Sequence, residues 1–215
     1  MIGDKVNIKP KHTQAATAVL EMIGTVEPGT TFTVAGQSGA GKSETAHELG
    51  RLLEEAGLKA FVFAQDDYFL YPPKTNHNRR VDDIQWVGTQ EVNTALLGEH
   101  LEHFKNARSR VLEKPLVVFD EDRITSEKVD LSPFNVAIAE GTYTTLLDNV
   151  DYKVFIARNY FDTLEDRKER GREKIDDFSE QIMKIEDAII SKHEALADFI
   201  IDKNFNVTRG ERKKD

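Results

Sequence analysis

The residues most able to do chemistry form one glycine-rich segment, Gly36 to Ser43, with the sequence GQSGAGKS. It matches the pattern G-x-x-x-x-G-K-[ST] at every fixed position. Glycines in such a loop let backbone N–H groups converge on phosphate oxygens without obstruction by Cβ atoms. Lys42 can reach the β- and γ-phosphates, and the Ser43 hydroxyl can bind Mg²⁺. The segment predicts a nucleoside triphosphate site formed by Gly36, Ser38, Gly39, Ala40, Gly41, Lys42, Ser43 and Glu44.

The flanking sequence supports this interpretation. Residues 31–35 (TFTVA) are β-branched and apolar, which is typical of a buried strand. Residues 44–56 carry alanines and leucines at helical spacing, and Gly57 is a suitable stop. The phosphate loop would therefore feed the N-terminus of a helix, where N–H groups and the helix dipole favour an anion. The alternative is a glycine turn that binds nothing, which these flanks disfavour.

An acidic pair, Asp66 and Asp67, directly follows the apolar segment 59–64, which we predict to be a second buried strand. Ligands of open parallel sheets bind beyond the carboxyl ends of the strands. A carboxylate there could accept the proton of an attacking hydroxyl during phosphoryl transfer. The alternative is a solvated turn or helix cap, but the position after a phosphate-loop unit favours the catalytic interpretation.

Two further acidic features need interpretation. Glu140 ends a third predicted strand, 135–141, where a carboxylate can hold Mg²⁺ directly or through water; capping the next helix is the alternative. The acids at 120–122 separate a strand at 115–120 from a returning strand at 124–129. We interpret these acids as the charged turn of a small β-hairpin rather than a metal site.

A basic segment follows a fourth strand at 153–157. Arg167, Arg170 and Lys174 lie three and four residues apart, so one helical face would carry them, and Gly171 indicates a bend. We predict a mobile lid over residues 158–177 that neutralises charge on the moving phosphoryl group. Because acids are interleaved with these bases, an exposed face of ion pairs is the alternative.

The whole chain of 215 residues is expected to be a single α/β domain with a P-loop NTPase fold. Its mostly parallel five-stranded sheet, whose last strand is predicted at 197–202, is flanked by helices and completed by the hairpin flap and helical lid. Residues 74–88 are predicted to be a polar loop, and Thr89 to be the N-cap of a following helix. Residues 66–88 and 115–130 would form the substrate flap, in which Trp86 could stack on a substrate or pack the flap down.

Composition excludes several classes of protein. The net charge of −9 disfavours a nucleic-acid or acidic-membrane surface, and the absence of cysteine excludes disulfides and thiolate metal sites. No apolar run approaches the ~20 residues needed to cross a bilayer. We expect a cytoplasmic protein with a small-molecule substrate and without nucleic-acid or membrane partners. A homo-oligomer is compatible with the sequence, which does not determine the oligomeric state.

These motifs together resemble the uridine kinase / phosphoribulokinase branch of the P-loop kinases, which includes nicotinamide riboside kinases and bacterial-type pantothenate kinases. The resemblance covers about residues 30 to 202. It is carried by Gly36–Ser43, Gln65-Asp66-Asp67-Tyr68-Phe69, Glu140-Gly141 and Arg170-Gly171-Arg172.

The resemblance implies ATP-dependent phosphorylation of a hydroxyl, with a nucleoside such as uridine or cytidine as the expected acceptor. It implies Asp66 as the base, or Asp67 in the register of the pantothenate kinases, and Mg²⁺ held with the help of Glu140. It further implies catalytic lid arginines at Arg167, Arg170 and Arg172. Expected substrate contacts are Asp67, Tyr68, Arg80 with an acidic or polar group, Asp83 with a sugar hydroxyl, and Trp86.

Other acceptors and functions stay open at this point. The acceptor could be another hydroxyl metabolite, such as a pantothenate-, riboside- or sugar-like compound. A regulatory NTPase is a different class, but the sequence lacks an Asn-Lys-x-Asp guanine motif and such a protein would not use the acid and lid motifs. Whether ATP or GTP is the donor is not determined by the sequence.

Overall fold

A computed structural model gives the structure of residues 6–106, 110–171 and 175–212. Among the described residues there are eight strands and six α-helices. The strands are β1 (Thr31–Gly36), β2 (Ala60–Ala64), β3 (Val111–Val118), β4 (Arg123–Asp130), β5 (Val136–Glu140), β6 (Tyr152–Ile156), β7 (Phe199–Ile201) and β8 (Val207–Arg209). The helices are α1 (Pro10–Ile23), α2 (Lys42–Glu55), α3 (Pro73–Asp82), α4 (Thr94–Asn106), α5 (Leu164–Arg170) and α6 (Asp177–Ile190).

The central sheet has the strand order β2-β5-β1-β6-β7-β8. The first five strands in this order are parallel, which confirms the predicted mostly parallel α/β fold. β8 adds a sixth strand antiparallel to β7, so the predicted count is one strand short. This strand was missed because it is only three residues long and gives little sequence signal.

Two apolar layers enclose the sheet. Every residue of β1 and β5 is buried, as expected for central strands covered on both faces. On one face, α1 and α2 pack through residues such as Val19 and Leu49, each fully buried. On the other face, α4 packs through Leu97 and Leu101. Burial of each such side chain contributes about 1.5–3 kcal/mol, so both layers hold the carboxyl ends of β1, β2 and β5 in fixed relation.

The predicted hairpin is confirmed. β3 and β4 pair antiparallel from Val111 opposite Asp130 to Val118 opposite Arg123, as a separate two-stranded sheet. Asp122 at its tip has φ of 47° and accepts hydrogen bonds from the backbone N–H groups of Lys74 and Thr75. The tip therefore caps the N-terminus of α3.

Two local predictions are wrong. Residues 74–88 are not a loop, because most of them belong to α3, which begins at Pro73. The 3₁₀ turn Ile84–Trp86 follows this helix, and a second 3₁₀ turn lies at Thr89–Glu91. The helix was missed because its sequence carries no apolar stripe. Thr89 does not cap α4, which begins at Thr94 after Asn93 accepts a hydrogen bond from the Leu96 N–H. Among the described helices, none combines the length and apolar character needed to cross a bilayer.

Candidate active site

The phosphate loop joins β1 to α2, and its glycines have backbone conformations that other residues rarely adopt. Gly41 has φ of 100° and occupies the N-cap of α2. Gly39 has φ of 74°, and a Cβ there would lie 2.6 Å from Cγ of Arg167. Side chains at these positions would be strained or would collide with neighbours. The loop is therefore shaped by glycine to present backbone N–H groups at a helix N-terminus, as a phosphate site requires.

Two side chains of the loop face the neighbouring strand ends. The Lys42 ammonium donates to the Gln37 carbonyl oxygen at 3.1 Å, within the loop itself. The Ser43 hydroxyl lies close enough to the carboxylate of Glu140 to favour its charged form. Because β5 runs beside β1, with Val34 opposite Glu140, the acid that ends β5 lies next to the start of α2. The predicted pair Ser43 and Glu140 is thus brought together.

The environment of Glu140 fits a cation site. Burial raises the pKa of Glu140 above its usual value, and the nearby Asp66 charge raises it further. Lys42 and the Ser43 hydroxyl act in the opposite direction without cancelling these effects. In the described part of the chain, no three His, Cys, Asp or Glu side chains form a ready-made metal cluster. An ion there would take its remaining ligands from phosphate oxygens and water, as Mg²⁺ commonly does.

Asp66 lies where the phosphate loop meets a cavity. It belongs to the 3₁₀ turn Gln65–Tyr68 that directly follows β2. Its charge affects Glu140, and together with Ser38 of the loop it lines a cavity of about 720 Å³. This cavity is enclosed by the turn, α3, the hairpin and α6. The geometry brings the expected base, the loop and the expected metal residues to one edge of the sheet.

Asp67 faces away from this cavity, into the hairpin. Its carboxylate accepts hydrogen bonds from Lys114 Nζ and from the Val117 backbone N–H, both at 3.0 Å. The side chains of Asp67 and Lys114 are buried, and Glu127 also pairs with Lys114 at 2.8 Å. Because its oxygens bind the hairpin, the structure does not support the expected substrate contact of Asp67. For the same reason it favours Asp66 over Asp67 as the base.

Tyr68 is also a structural residue. It is buried, and its hydroxyl is hydrogen-bonded to His100 Nδ1 of α4 at 2.8 Å. Burial raises the pKa of the Tyr68 phenol and lowers that of the His100 ring to about 4. The structure therefore does not support the expected substrate contact at Tyr68 either. Tyr68 and Asp67 together fix the turn that carries Asp66.

The remaining expected substrate residues lie on or after α3, with different partners. Arg80 lines the cavity but is paired with Glu91 and Glu186. Asp83 accepts a hydrogen bond from the Gln85 N–H and caps a 3₁₀ turn outside the cavity lining, so its expected sugar contact is not supported. Trp86 donates from Nε1 to Asn76 Oδ1 at 2.8 Å and packs against Tyr71. Of the two roles for Trp86, the structure favours packing of α3.

The described part of the predicted lid, residues 158–171 and 175–177, contains α5. Arg167 is 3 % exposed and donates from Nη2 to the Tyr160 carbonyl oxygen at 3.2 Å, while its side chain packs on Gly39. Arg170 is the last residue of α5, and the chain then turns at Gly171 with φ of 63°. The expected catalytic residue Arg172 lies outside the described residues. The alternative of surface ion pairs holds for Lys168, which pairs with Glu165, while Arg167 lies against the phosphate loop.

A second cavity, of about 410 Å³, lies on the other side of the loop and was not predicted. Gly39 and residues 41–44 line it together with Lys9, His12 and Arg158. Lys9 pairs with Glu169 at 2.7 Å, and Arg158 pairs with Asp166 at 2.8 Å. No local signal could have revealed this cavity, because its walls come from segments about 150 residues apart in the chain.

The site combines a phosphate loop after β1, an acid after β2, an acid at the end of β5, and arginines on α5. These features define the chain as a P-loop kinase of small molecules. It belongs to the phosphoribulokinase / uridine kinase family, whose model matches residues 31–205. Kinases of this family use ATP to phosphorylate a hydroxyl group. The chain is 25% identical over 160 residues to a uridine kinase of Lactobacillus helveticus (strain DPC 4571), covering 70% of this chain and 74% of that protein.

Two solved structures share this fold. One is described as a possible uridine kinase from Bacillus stearothermophilus, with TM-score 0.55, 18% identity, and coverage of 81% of this chain and 93% of that one. The other is the phosphoribulokinase from Rhodobacter spheroides, with TM-score 0.59, 13% identity, and coverage of 80% and 69%. At these identities the likeness establishes the fold alone.

Proposed function

We propose that this chain is a nucleoside kinase that transfers the γ-phosphoryl group of ATP to a hydroxyl of a pyrimidine nucleoside such as uridine or cytidine. The observation that carries the proposal is the position of Asp66, which lines a 720 Å³ cavity together with Ser38 of the phosphate loop. A phosphate on the loop and a hydroxyl in the cavity would meet at this carboxylate. The similarity to a uridine kinase supports a nucleoside as the acceptor.

Asp66 acts as the general base in this proposal. It orients the acceptor hydroxyl and takes its proton as the new O–P bond forms and the bond from the γ-phosphorus to the bridging oxygen of ADP breaks. The hydrogen bonds of Asp67 to Lys114 and of Tyr68 to His100 restrict the conformation of the turn. The Asp66 carboxylate is therefore already positioned for the acceptor hydroxyl.

Cationic groups stabilise the charge that develops on the transferred group. Lys42 exchanges its bond to the Gln37 carbonyl for phosphate oxygens, and Arg167 already lies against Gly39 of the loop. Arg170 and Arg172 complete the proposed lid. Preorganised positive groups of this kind commonly supply the largest share of the rate enhancement in phosphoryl transfer.

Ser43 and Glu140 are the residues that would hold Mg²⁺. The buried Glu140 carboxylate, beside the Asp66 charge and the Ser43 hydroxyl, is a site where a cation relieves electrostatic cost. When bound there, Mg²⁺ supplies Lewis-acid neutralisation of the phosphate oxygens. The chain's own contribution is to place an oxygen donor set at the end of β5, next to the loop.

A coupled assay of ADP release tests the proposal. ATP and Mg²⁺ are supplied with and without uridine, cytidine and a panel of small alcohols. ADP release that requires a nucleoside supports the proposal, whereas release that requires another alcohol reassigns the acceptor. ADP release without any acceptor supports a regulatory NTPase instead, and no release in any condition contradicts both functions.

A further inference from the structure

Asn76 is a buried polar residue on the wall of the cavity lined by Asp66. It lies near the start of α3 and is 5 % exposed. Its side-chain oxygen Oδ1 accepts a hydrogen bond from Nε1 of Trp86 at 2.8 Å. In the described part of the chain, its amide nitrogen Nδ2 has no hydrogen-bond partner. One end of this amide is therefore engaged, and the two N–H groups at the other end are available.

The bond to Trp86 determines which end of the Asn76 amide faces the indole. An indole N–H is a donor and has no acceptor lone pair, so the atom facing it must be the amide oxygen. Exchanging the two ends of the amide would place two donors against each other. The NH₂ group is therefore directed away from Trp86 by the chemistry of its partner.

Trp86 is itself held in place by several contacts. Its ring packs edge-on against Tyr71, with 5.7 Å between the ring centroids. The Arg79 guanidinium lies 4.4 Å from the centroid of the Tyr71 ring and 5.8 Å from that of Trp86. Gln90 donates from Nε2 to the Trp86 carbonyl oxygen at 2.8 Å. A fixed indole gives the Asn76 amide a fixed direction.

The NH₂ group of Asn76 has access to the cavity. Asn76 lines the cavity, whereas Trp86 lies outside the lining. Among the described residues, the side-chain polar atoms that are fully enclosed and unpartnered do not include Nδ2 of Asn76. An unpartnered Nδ2 that is not enclosed must open onto the cavity. Because buried polar groups are nearly always hydrogen-bonded, these donors are suited to a bound molecule.

The other polar side chains that α3 contributes to the lining differ from Asn76. Lys74, His77 and Asn78 are exposed, and Arg80 is paired with acids of other segments. Of the described lining residues of α3, Asn76 is the one that combines deep burial with donors unused by the protein. Its position in the cavity wall is therefore suited to recognition rather than solvation.

We propose that Asn76 is a specificity-determining residue that donates a hydrogen bond from Nδ2 to an oxygen of the acceptor, with Trp86 as its positioning residue. This inference rests on the proposed kinase function and concerns the same cavity. Because an amide NH₂ group donates, the group that it recognises is a carbonyl or hydroxyl oxygen. A site built to hydrogen-bond such an oxygen discriminates against compounds that lack it.

Analogues of uridine that each lack one oxygen test this contact. They are 2-thiouridine, 4-thiouridine, 2′-deoxyuridine and 3′-deoxyuridine, with turnover measured as ADP release and affinity by titration calorimetry. In the wild-type protein, loss of the contacted oxygen should raise KM and Kd about tenfold, as expected for one hydrogen bond. In Asn76→Ala, that analogue should bind as well as uridine does. The same analogue-to-uridine ratios in both proteins, for every analogue, would overturn the proposal.

Asn76→Asp separates the donor from the structural role of this side chain. It keeps an oxygen for the Trp86 N–H but removes both amide donors. The KM for uridine should rise about tenfold, while the KM for ATP stays constant. Asn106→Asp makes the same change at the exposed end of α4 and should have no effect. If Asn76→Ala does not fold, Asn76→Asp decides, and an unchanged KM for uridine overturns the proposal.

Trp86→Phe tests the positioning role. This variant keeps an aromatic ring beside Tyr71 but lacks the N–H, so the Asn76 amide can rotate. The KM for uridine should rise about threefold in the wild-type background and not at all in Asn76→Ala, because both residues act through one contact. A purely structural Trp86 would raise KM equally in both backgrounds, and that result would contradict the positioning role.

Two readouts separate this proposal from the function on which it rests. Trp86 is the only tryptophan of the sequence, so its fluorescence reports uridine binding without turnover. A saturable emission change that weakens about tenfold in Asn76→Ala, without ADP release, supports the contact and contradicts kinase function. Uridine-dependent ADP release with equal KM in wild type and Asn76→Asp supports kinase function and contradicts the contact. Neither binding nor turnover contradicts both.

Discussion

The phosphate loop and the cavity beside it are built in different ways. The loop itself is a continuous stretch of eight residues whose geometry comes from glycines such as Gly39 and Gly41. The cavity lined by Asp66, which we propose to bind the acceptor and call the acceptor cavity, is assembled from the turn after β2, α3, the hairpin and α6. A backbone-built phosphate site suits a phosphate group common to many reactions. A wall of side chains from several segments can vary independently and so determine the acceptor.

Asp66 and Asp67 show the same contrast within two residues. Asp66 lines the cavity beside the loop, whereas Asp67 is buried in a pair with Lys114. One acid lines the cavity, and the other fixes the turn that carries it. Substitutions around the cavity should therefore alter the free energy of unfolding and the kinetics with the acceptor. Substitutions in the loop should alter the kinetics with ATP.

The largest effect on the acceptor side is expected for Lys114→Met. Removing the ammonium leaves the buried Asp67 carboxylate without its main cation, which should cost about 3–5 kcal/mol of unfolding free energy. Denaturant unfolding measures this loss. Lys128→Met, at an exposed position of the same hairpin, should have little effect. Equal losses in both variants would show that the Asp67 pair is not the anchor.

Lys42→Ala is the corresponding change in the loop. We expect kcat/KM for ATP to fall about 10²–10³-fold, because a cation directed at the β- and γ-phosphates is lost. Stability should change little, since Lys42 bonds only a loop carbonyl among the hydrogen bonds described. Lys59→Ala, at the opposite end of the sheet, is the control. Normal turnover in Lys42→Ala would contradict the assigned role.

His100 provides a pH-dependent test of the acceptor side. Burial, with smaller contributions from His103 and Lys114, lowers the pKa of His100 from 6.5 to about 4. Between these values the unfolded chain binds a proton that the folded chain does not, so stability is lost as the pH falls from 6.5 towards 4. The shift corresponds to a loss of roughly 3 kcal/mol.

His100→Asn removes this titration while keeping an acceptor for the Tyr68 hydroxyl. Unfolding free energies measured across that pH range should therefore fall less steeply in the variant. The other buried histidines, His12 and His193, are present in both proteins and contribute equally. His47→Asn changes an exposed histidine and is the control. An unchanged slope in His100→Asn would refute the role of this ring.

The smallest effect is expected for Asp122→Ala at the hairpin tip. It removes the cap of α3, including the bond from the Thr75 hydroxyl at 2.8 Å, and should cost about 1 kcal/mol. Because α3 and the hairpin both line the acceptor cavity, KM for the acceptor should rise while KM for ATP stays constant. A change confined to the KM for ATP would contradict the assignment of acceptor binding to the cavity and of ATP binding to the phosphate loop.

The sequence predicts the local features of this molecule better than the distant ones. The loop, the five parallel strands and the hairpin are recognisable because their signals lie within short stretches. α3 was missed since Asn76 and Asp122, rather than an apolar stripe, hold it in place. The partners of Asp67 and Arg80 could not be predicted because they lie on other elements: Lys114 is 47 residues from Asp67, and Glu186 is 106 from Arg80.

The most direct test of the central claim compares Asp66→Asn with Asp67→Asn in single-turnover transfer from ATP to uridine. We predict that Asp66→Asn slows transfer about 10²–10⁴-fold while ATP affinity and stability are retained. Asp67→Asn should instead lower stability, with transfer retained in the molecules that stay folded. Normal transfer by Asp66→Asn, or a loss of transfer confined to a fully folded Asp67→Asn, would contradict the account.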